Sequence, residues 1–234
     1  MQLPYFYQAD LPESTKNFFL SPETSKHLVQ VLRKKVGDSV ILTDGKGSEI
    51  HVKLVTADKK KTEVEFVSKI NHLAPDKDIT IAISLLKNEN RFEWFAEKAA
   101  ELGINRIIPL ICHRSEKKTF KKDRIQNILV SAMLQSRQVF LTEITEPQKL
   151  DDVLESGDYQ QKIIAHCLDD NDKADLRSLS EKDASKIVLI GPEGDFTEGE
   201  IEHSVKAGYL PISLGSTRLR TETAGIVAAV LLQN

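Results

Sequence analysis

The chain has 234 residues, of which 40% are hydrophobic, with 32 basic and 35 acidic side chains and a net charge of −3. This composition predicts a globular protein of one or two domains whose core needs no disulfide or metal, and the acidic balance argues mildly against a general nucleic-acid binder. No apolar run reaches the roughly 18 residues of a membrane span, and residues 1–10 lack a signal-peptide pattern, so we expect a cytoplasmic protein with no membrane partner.

The first 70 or so residues predict a small β-rich domain. Ser21-Pro22-Glu23 favours a short helix that ends near Leu32, because proline and an acid suit a first helical turn. The turn Asp44–Gly47 is a hairpin signal. The strands predicted on either side of it and beyond are residues 39–43, 49–56 and 63–70. A helix with several short strands predicts a small barrel or sandwich over residues 1–72.

Residues 71–78, which contain Pro75, read as a linker, and strand-like and helix-like segments alternate after it. The predicted strands are residues 79–86, 104–112, 162–168, 187–190 and 210–214, and the predicted helices are residues 91–102, 123–137, 197–208 and 221–232. This alternation predicts an α/β domain with a parallel sheet over residues 73–234. The last helix is apolar on too many sides for half exposure, which favours burial, for instance against another subunit.

Two loops near the C-terminus, Gly191–Phe196 and Leu214–Ala224, each follow a predicted buried strand. Loops at the carboxyl ends of parallel strands line the ligand crevice, so we expect the two loops to form walls of one pocket. Neither has a phosphate-binding pattern, and Glu193 and Asp195 would repel a phosphate. A neutral or cationic ligand fits better. The simpler alternatives are a tight strand–helix turn and a surface ion pair between Arg220 and Glu222.

The remaining chemistry-bearing residues are less informative. Cys112 and Cys167 lie in or beside apolar runs and predict buried, reduced thiols, and the six histidines show no ligand spacing, so no metal site is expected. Residues 113–124 carry six basic side chains against two acids, with smaller basic groups at 33–35 and 59–61. Such runs are typically solvated surface, and are otherwise sites for an anionic partner.

Several motifs together make the chain resemble the RsmE family, bacterial small-subunit ribosomal RNA uridine-N3 methyltransferases of the SPOUT superfamily. Gly191–Phe196 matches the family's GPEGGF, and Leu219–Ala224 matches LRTETA. Further matches are Val31–Arg33 with Gly37-Asp38, Glu97–Gly103, Pro109, Arg114-Ser115 and, more loosely, Gln135–Arg137. The resemblance covers nearly the whole chain. It implies a PUA-like RNA-binding β-barrel followed by a SPOUT domain with a deep trefoil knot.

The resemblance also implies S-adenosylmethionine as cofactor, ribosomal RNA or the small ribosomal subunit as substrate, and a homodimer. The implied cofactor-binding residues are His166, Ile190, Gly191, Pro192, Glu193, Gly194, Leu214, Gly215, Leu219, Arg220, Thr221 and Thr223, with backbone near 165–168 as a further wall. A sulfonium cation and an uncharged adenine agree with a pocket that disfavours phosphate.

For catalysis, we hypothesise that Glu222 accepts the uracil N3 proton or orients the base, and that Arg220 or Arg137 offsets the negative charge that develops on the uracil oxygens. The candidate RNA-binding residues are Arg33, Arg114, Lys117, Lys118, Lys121 and Lys122. The alternatives are a SPOUT enzyme for another position, such as a ribose 2′-O or another base, and a non-catalytic RNA-binding assembly factor. Asp195, Thr217 with Arg218, and Leu134 depart from the family pattern.

Overall fold

The computed structural model describes residues 3–12, 16–168, 173–176 and 184–233, and the chain divides into two compact units. The first unit comprises residues 1–74 with 133–141, and the second comprises 75–132 with 142–234. The main division therefore falls inside the linker predicted from Pro75 and its neighbours. That residues 133–141 belong to the first unit was not predicted from the sequence.

The first unit is built on a five-stranded sheet with the order β1-β3-β4-β5-β2. Its strands are β1 (Tyr5–Tyr7), β2 (Phe18–Phe19), β3 (Ser39–Thr43), β4 (Ser48–Leu54) and β5 (Glu63–Asn71). β1 is parallel to β3, and the other neighbours are antiparallel. Alternate side chains of the strands pack with Leu28 into a core of the unit's own. The predicted strands of this β-rich domain are confirmed.

A short helix, α1 (Pro22–Lys26), covers this core and continues as a π-helical turn, His27–Val31. The Ser21 hydroxyl accepts a hydrogen bond from the Thr24 backbone N–H at 3.1 Å, which caps the helix. Leu28 is fully buried.

The hairpin between β3 and β4 explains why residues 133–141 belong to the first unit. The Asp44 carboxylate accepts hydrogen bonds from the backbone N–H groups of Lys46, at 2.7 Å, and Ser48, at 3.1 Å. Gly47 has a φ of 98°, and a Cβ atom there would lie 2.7 Å from the Phe140 ring. The glycine thus permits both the turn and the close approach of the later segment.

We expect the stability of the protein to fall in acid because of Glu49, which is buried on β4. Its two carboxylate oxygens are hydrogen-bonded by Nε2 of His51, at 2.8 Å, and Nε2 of His72, at 2.9 Å. Burial acts to raise the pKa of Glu49, but these two hydrogen bonds outweigh burial and lower the pKa below its ordinary 4.5. The Glu49 carboxylate therefore binds a proton more tightly in the unfolded chain than in the folded protein. The stabilisation is complete above pH 4.5 and is lost as the pH falls through the lower folded pKa.

Urea unfolding at several pH values, followed by circular dichroism, measures this effect. Glu49→Gln should lower the free energy of unfolding by about 1–3 kcal/mol near neutral pH, and the difference from the wild type should shrink below pH 4.5. A difference that stays constant across this range would contradict the assignment.

The second unit is built on an eight-stranded sheet with the order β11-β13-β10-β12-β6-β7-β8, and β9 also pairs with β7. Every strand pair in it is parallel. The strands are β6 (Ile79–Ser84), β7 (Arg106–Ile111), β8 (Glu143–Ile144), β9 (Gln148–Lys149), β10 (Gln161–Ala165), β11 (Ala174–Asp175), β12 (Lys186–Ile190) and β13 (Leu210–Ser213). The predicted parallel α/β domain is confirmed, whereas the two-residue strands were not predicted because they are too short to show a period.

The helices are α2 (Glu89–Glu101), α3 (Lys122–Gln135), α4 (Leu150–Glu155), α5 (Glu198–Lys206) and α6 (Thr221–Gln233). The predicted apolar stripe of α2 is buried, and the capping box at Thr197 is formed reciprocally with Glu200. α4 was not predicted. In the part of the chain that the structure describes, no helix is long and apolar enough to cross a membrane, and no group of side chains is suited to hold a metal ion. The trefoil knot stays a prediction of the resemblance.

Candidate functional site

The site lies at the carboxyl ends of three neighbouring strands of the second unit. β10 lies between β12 and β13, and Ala165 is paired with Ile190 on one side and Ile212 on the other. The loops that follow these strands therefore start side by side. They enclose two adjoining cavities of about 290 and 460 Å³.

Most of the predicted binding residues line these cavities. The smaller cavity is lined by Ile190, Gly191, Pro192, Glu193, Leu219, Arg220 and Thr221 of the predicted set, and the larger by His166, Leu214, Gly215 and Leu219. Gly194 and Thr223 are not among the lining residues. Asp195, Cys167, Arg218, Lys173 and Ala224 line the cavities but were not in the predicted set. The two loops and the segment after β10 thus come together as expected.

The loop Gly191–Phe196 is held by close packing and by a guanidinium group. A Cβ atom at Gly191 would lie 3.0 Å from the ring and 3.2 Å from the backbone nitrogen of Phe196, whose ring is buried, so a larger residue there would have to displace Phe196 by a few tenths of an ångström. Arg114 donates hydrogen bonds from Nη1 to the carbonyl oxygens of Gly194, at 2.7 Å, and Phe196, at 3.3 Å. Arg114, predicted to bind RNA, therefore holds the pocket loop in this structure.

The two cysteines differ from each other, and the prediction for one of them is wrong. Cys112 is buried as predicted, but Cys167 is exposed because β10 ends at Ala165, before the end predicted for that strand. Burial raises the pKa of both thiols, and the nearby Asp195 carboxylate raises that of Cys167 further. Both thiols are therefore protonated at neutral pH, which disfavours either as a nucleophile.

The second loop leads into α6, whose first turn contains Thr221 and Glu222, both buried. The Glu222 carboxylate lies beside α2, with Oε1 3.7 Å from Nε of Arg91. Its other oxygen, Oε2, is buried and has no hydrogen-bond partner among the described residues. The ion pair of Glu222 is thus with Arg91 and not with Arg220, which is exposed and lines the smaller cavity. Sequence reasoning missed Arg91, which lies on a different helix.

Arg33 and Arg137, two further predicted site residues, lie in the first unit. Both adopt a left-handed backbone, with φ values of 52° and 57°, and both are exposed. Arg137 follows the end of α3, two residues past Gln135, where the predicted helix had been extended to include it.

Among the remaining basic residues predicted to bind RNA, two are engaged by acids. Lys117 pairs with Glu89, and Lys122 pairs with Glu146 at 2.8 Å. Lys118 and Lys121 are exposed, and within the described ranges neither forms an ion pair. These two lysines are therefore the charges of this segment that remain available to an anionic partner.

The chemistry of the two cavities suits a ligand with apolar, polar and cationic parts. Glu193 and Asp195 line the smaller cavity together with Arg218 and Arg220, so this cavity offers charged groups of both signs. Ile190, Leu219 and Ala224 offer an apolar surface, and the loop backbone offers hydrogen-bonding groups. Such walls fit S-adenosylmethionine, which combines an apolar adenine with a sulfonium and a charged amino-acid end.

Comparison with known proteins supports this interpretation. Residues 74–233 match the model of an RNA methyltransferase domain, and residues 20–67 match that of an RNA methyltransferase PUA domain. A ribosomal RNA small subunit methyltransferase E from Aquifex aeolicus is 30% identical over 76% of this chain and 77% of its own.

Two solved structures extend the similarity over the whole chain. One, from Porphyromonas gingivalis, is described as a probable rRNA-methyltransferase and is 34% identical, with a TM-score of 0.89 over 99% of this chain and 98% of that chain. Another, a methyltransferase from Legionella pneumophila in complex with bound S-adenosylmethionine, is 30% identical, with a TM-score of 0.88 over 100% of this chain and 98% of that one.

Proposed function

Because this chain belongs to the ribosomal RNA small subunit methyltransferase E family, we propose that it transfers a methyl group from S-adenosylmethionine to N3 of a uridine in small-subunit ribosomal RNA. The observation that carries the proposal is the pair of adjoining cavities at the ends of β10, β12 and β13, where apolar side chains line both cavities and Glu193 and Asp195 line the smaller one. Uridine and its N3 position come from the family resemblance.

Different residues of the site would contact different parts of the cofactor. The backbone of Gly191 and Gly215 allows close approach, and Leu219 and Ala224 supply apolar surface. Glu193 and Asp195 place negative charge beside the cavity. When bound, S-adenosylmethionine supplies an activated methyl group for direct displacement. The protein then has to position the uracil and provide an acceptor for its N3 proton.

Glu222 is the proposed proton acceptor. The imide at N3 of uracil must lose its proton as the methyl group is transferred, and an ionised carboxylate can accept it. Oε2 of Glu222 is buried without a hydrogen-bond partner among the residues described, so a substrate N–H would satisfy an otherwise costly group. Arg91, with Nε 3.7 Å from Oε1, would help to orient the carboxylate.

Arg220 is the proposed group that offsets negative charge on the uracil oxygens. It is exposed at the rim of the smaller cavity, and no ion pair occupies its guanidinium in the described part of the chain. A guanidinium donates two parallel hydrogen bonds, which suits a delocalised anion. Arg137 is a second candidate for this role that rests on the resemblance.

The active form is proposed to be a homodimer that uses the outer face of α6. Residues at helical spacing leave an apolar stripe on this helix that the rest of the unit covers only in part, and Trp94 on α2 is 45% exposed. The stripe consists of Thr223, Ile226, Val227, Val230 and Leu231. Light scattering should give a mass near twice the 26.3 kDa of one chain. A monomer at micromolar concentration would contradict the proposal.

Lys118 and Lys121 are expected to bind the phosphate backbone of the RNA. Reversing both charges, in Lys118→Glu/Lys121→Glu, should weaken RNA binding. It should also reduce the slope of log K against log salt concentration by about 1–2, because each phosphate contact releases roughly one counterion. Fluorescence anisotropy with a small-subunit RNA fragment at several salt concentrations measures both effects. Lys149→Glu/Lys206→Glu, which reverses two other exposed lysines of the second unit, is the control. An unchanged salt slope would argue against this contact.

Two experiments test the function itself. Calorimetric titration should show binding of S-adenosylmethionine, and its absence would favour a non-catalytic RNA-binding protein. Mass-spectrometric mapping of ribosomal RNA from cells with and without the protein should show one N3-methyluridine that depends on it. A methyl group on a ribose or on another base would instead indicate that the enzyme methylates a different position of the RNA.

A further inference from the structure

Asp195 has a backbone conformation that normally favours glycine. Its φ is 64°, in the left-handed region, where a side chain is strained, although aspartate tolerates it better than most residues. The family pattern has glycine at this position. The strain indicates that the carboxylate contributes something that glycine cannot supply.

The carboxylate of Asp195 joins two loops of the site. Oδ2 accepts a hydrogen bond from the backbone N–H of Cys167 at 2.8 Å, and Oδ1 accepts one from the N–H of Phe196 at 2.8 Å. Cys167 follows β10 and Asp195 follows β12, which are neighbouring strands. The backbone N–H of Asp195 also donates to the Pro192 carbonyl at 2.9 Å, which tightens the turn.

The segment after β10 lies beyond the end of that strand, so strand pairing does not fix its position. Residues 166–168 have no regular structure, and Cys167 and Leu168 are exposed. Lys173 also donates hydrogen bonds to this segment, to the carbonyl of His166 at 2.9 Å and to that of Leu168. His166 and Cys167 line the larger cavity, so the position of this segment shapes that cavity.

We propose that Asp195 is a positioning residue that ties the segment after β10 to the Gly191–Phe196 loop and so preorganises the cofactor cavities. This inference rests on the proposed function, because it assigns the purpose of the link to S-adenosylmethionine. Without the link the segment would have to be ordered when the ligand binds, which lowers affinity. The charged acceptor makes this link stronger than a neutral hydrogen bond.

Three substitutions separate the link from the backbone strain. Asp195→Ala removes both hydrogen bonds and keeps the strain, and it should raise the Kd for S-adenosylmethionine about tenfold, as expected when a charge-assisted bond is lost. Asp195→Gly relieves the strain but also lacks the link, so it should raise the Kd to a similar extent while remaining fully folded. Asp195→Asn retains one acceptor oxygen and should lie between these and the wild type. Glu155→Gln, which removes an exposed carboxylate from the same unit, is the matched control.

Two measurements on each variant test whether Asp195 holds the Cys167 segment and whether this link lowers the Kd for S-adenosylmethionine. Calorimetry gives the Kd, and amide hydrogen exchange by NMR in the ligand-free protein reports the Cys167 N–H directly. We expect exchange of that amide to be at least tenfold faster in Asp195→Ala and Asp195→Gly than in the wild type, since its acceptor is gone. A Kd within twofold of wild type, or an unchanged Cys167 exchange rate, would overturn the proposal. Failure of the wild type to bind S-adenosylmethionine would overturn the proposed function, whereas the exchange rates would still show whether Asp195 holds the segment.

Discussion

Replacing Glu222 by glutamine should lower kcat by about 10²–10⁴-fold, the usual contribution of a positioned general base. Glutamine has nearly the same size and fills the same buried position at the start of α6, but it cannot accept a proton. Glu222 lies outside the residues that line the two cavities, so the Kd for S-adenosylmethionine should change by less than about twofold. Single-turnover methylation of small ribosomal subunits, together with calorimetry, measures both values.

The geometry around Glu222 supplies the controls for this experiment. Glu97→Gln changes an exposed carboxylate of α2 that pairs with Lys98, and it should leave turnover unchanged. Arg91→Ala should lower kcat by less than Glu222→Gln does, because Arg91 only orients the carboxylate. Near-wild-type turnover of Glu222→Gln with normal cofactor binding would remove Glu222 from the catalytic role.

Replacing Gly225 by alanine should destabilise the second unit and displace the start of α6. A Cβ atom at Gly225 would lie 2.6 Å from Cε2 of Phe95 and 2.9 Å from Cδ1 of Ile83, and both of these side chains are fully buried. Overpacking of this kind costs about 1–3 kcal/mol, which corresponds to a fall in Tm of very roughly 2–12 °C for a protein of this size. Thermal unfolding followed by circular dichroism measures it.

Gly199 provides a matched control, because it lies in α5 with no atom within 4 Å of a Cβ atom placed there. Gly199→Ala should therefore stabilise the protein by about 0.5–1 kcal/mol through the helix propensity of alanine. Combining Gly225→Ala with Phe95→Leu should recover part of the loss if the clash with the ring is its cause. A Tm for Gly225→Ala equal to that of the wild type would show that α6 can shift away without cost.

The local pattern of the sequence was enough to predict most of the regular structure. The unbroken apolar run at β6 and the stripe on α2 identify the buried faces, because burial imposes periods of two and 3.6 residues on any chain. The capping box at Thr197 also predicts where α5 begins, because it involves only Thr197 and Glu200, three residues apart. Strand and helix alternation predicts the parallel sheet, and this places the two C-terminal loops at one edge.

Contacts between distant segments could not be read from the sequence. Arg91 and Glu222 lie on different helices, and Arg114 meets the carbonyls of Gly194 and Phe196 across the sheet edge. In the sequence Arg114 is only one member of a basic run. Its role became clear when the structure showed which acceptors lie near it.

The sequence by itself thus determined the family, the α/β architecture and the two loops that line the adjoining cavities. Tertiary structure alone decided that residues 133–141 belong to the first unit, that Glu222 lies beside Arg91, and that Asp195 bonds to the Cys167 backbone. The physical reason is that secondary structure depends on neighbours within a few residues, whereas ion pairs and loop links depend on which strands lie side by side. Only the folded sheet brings β10 next to β12, and with these strands the segment after β10 and the Gly191–Phe196 loop, which Asp195 joins.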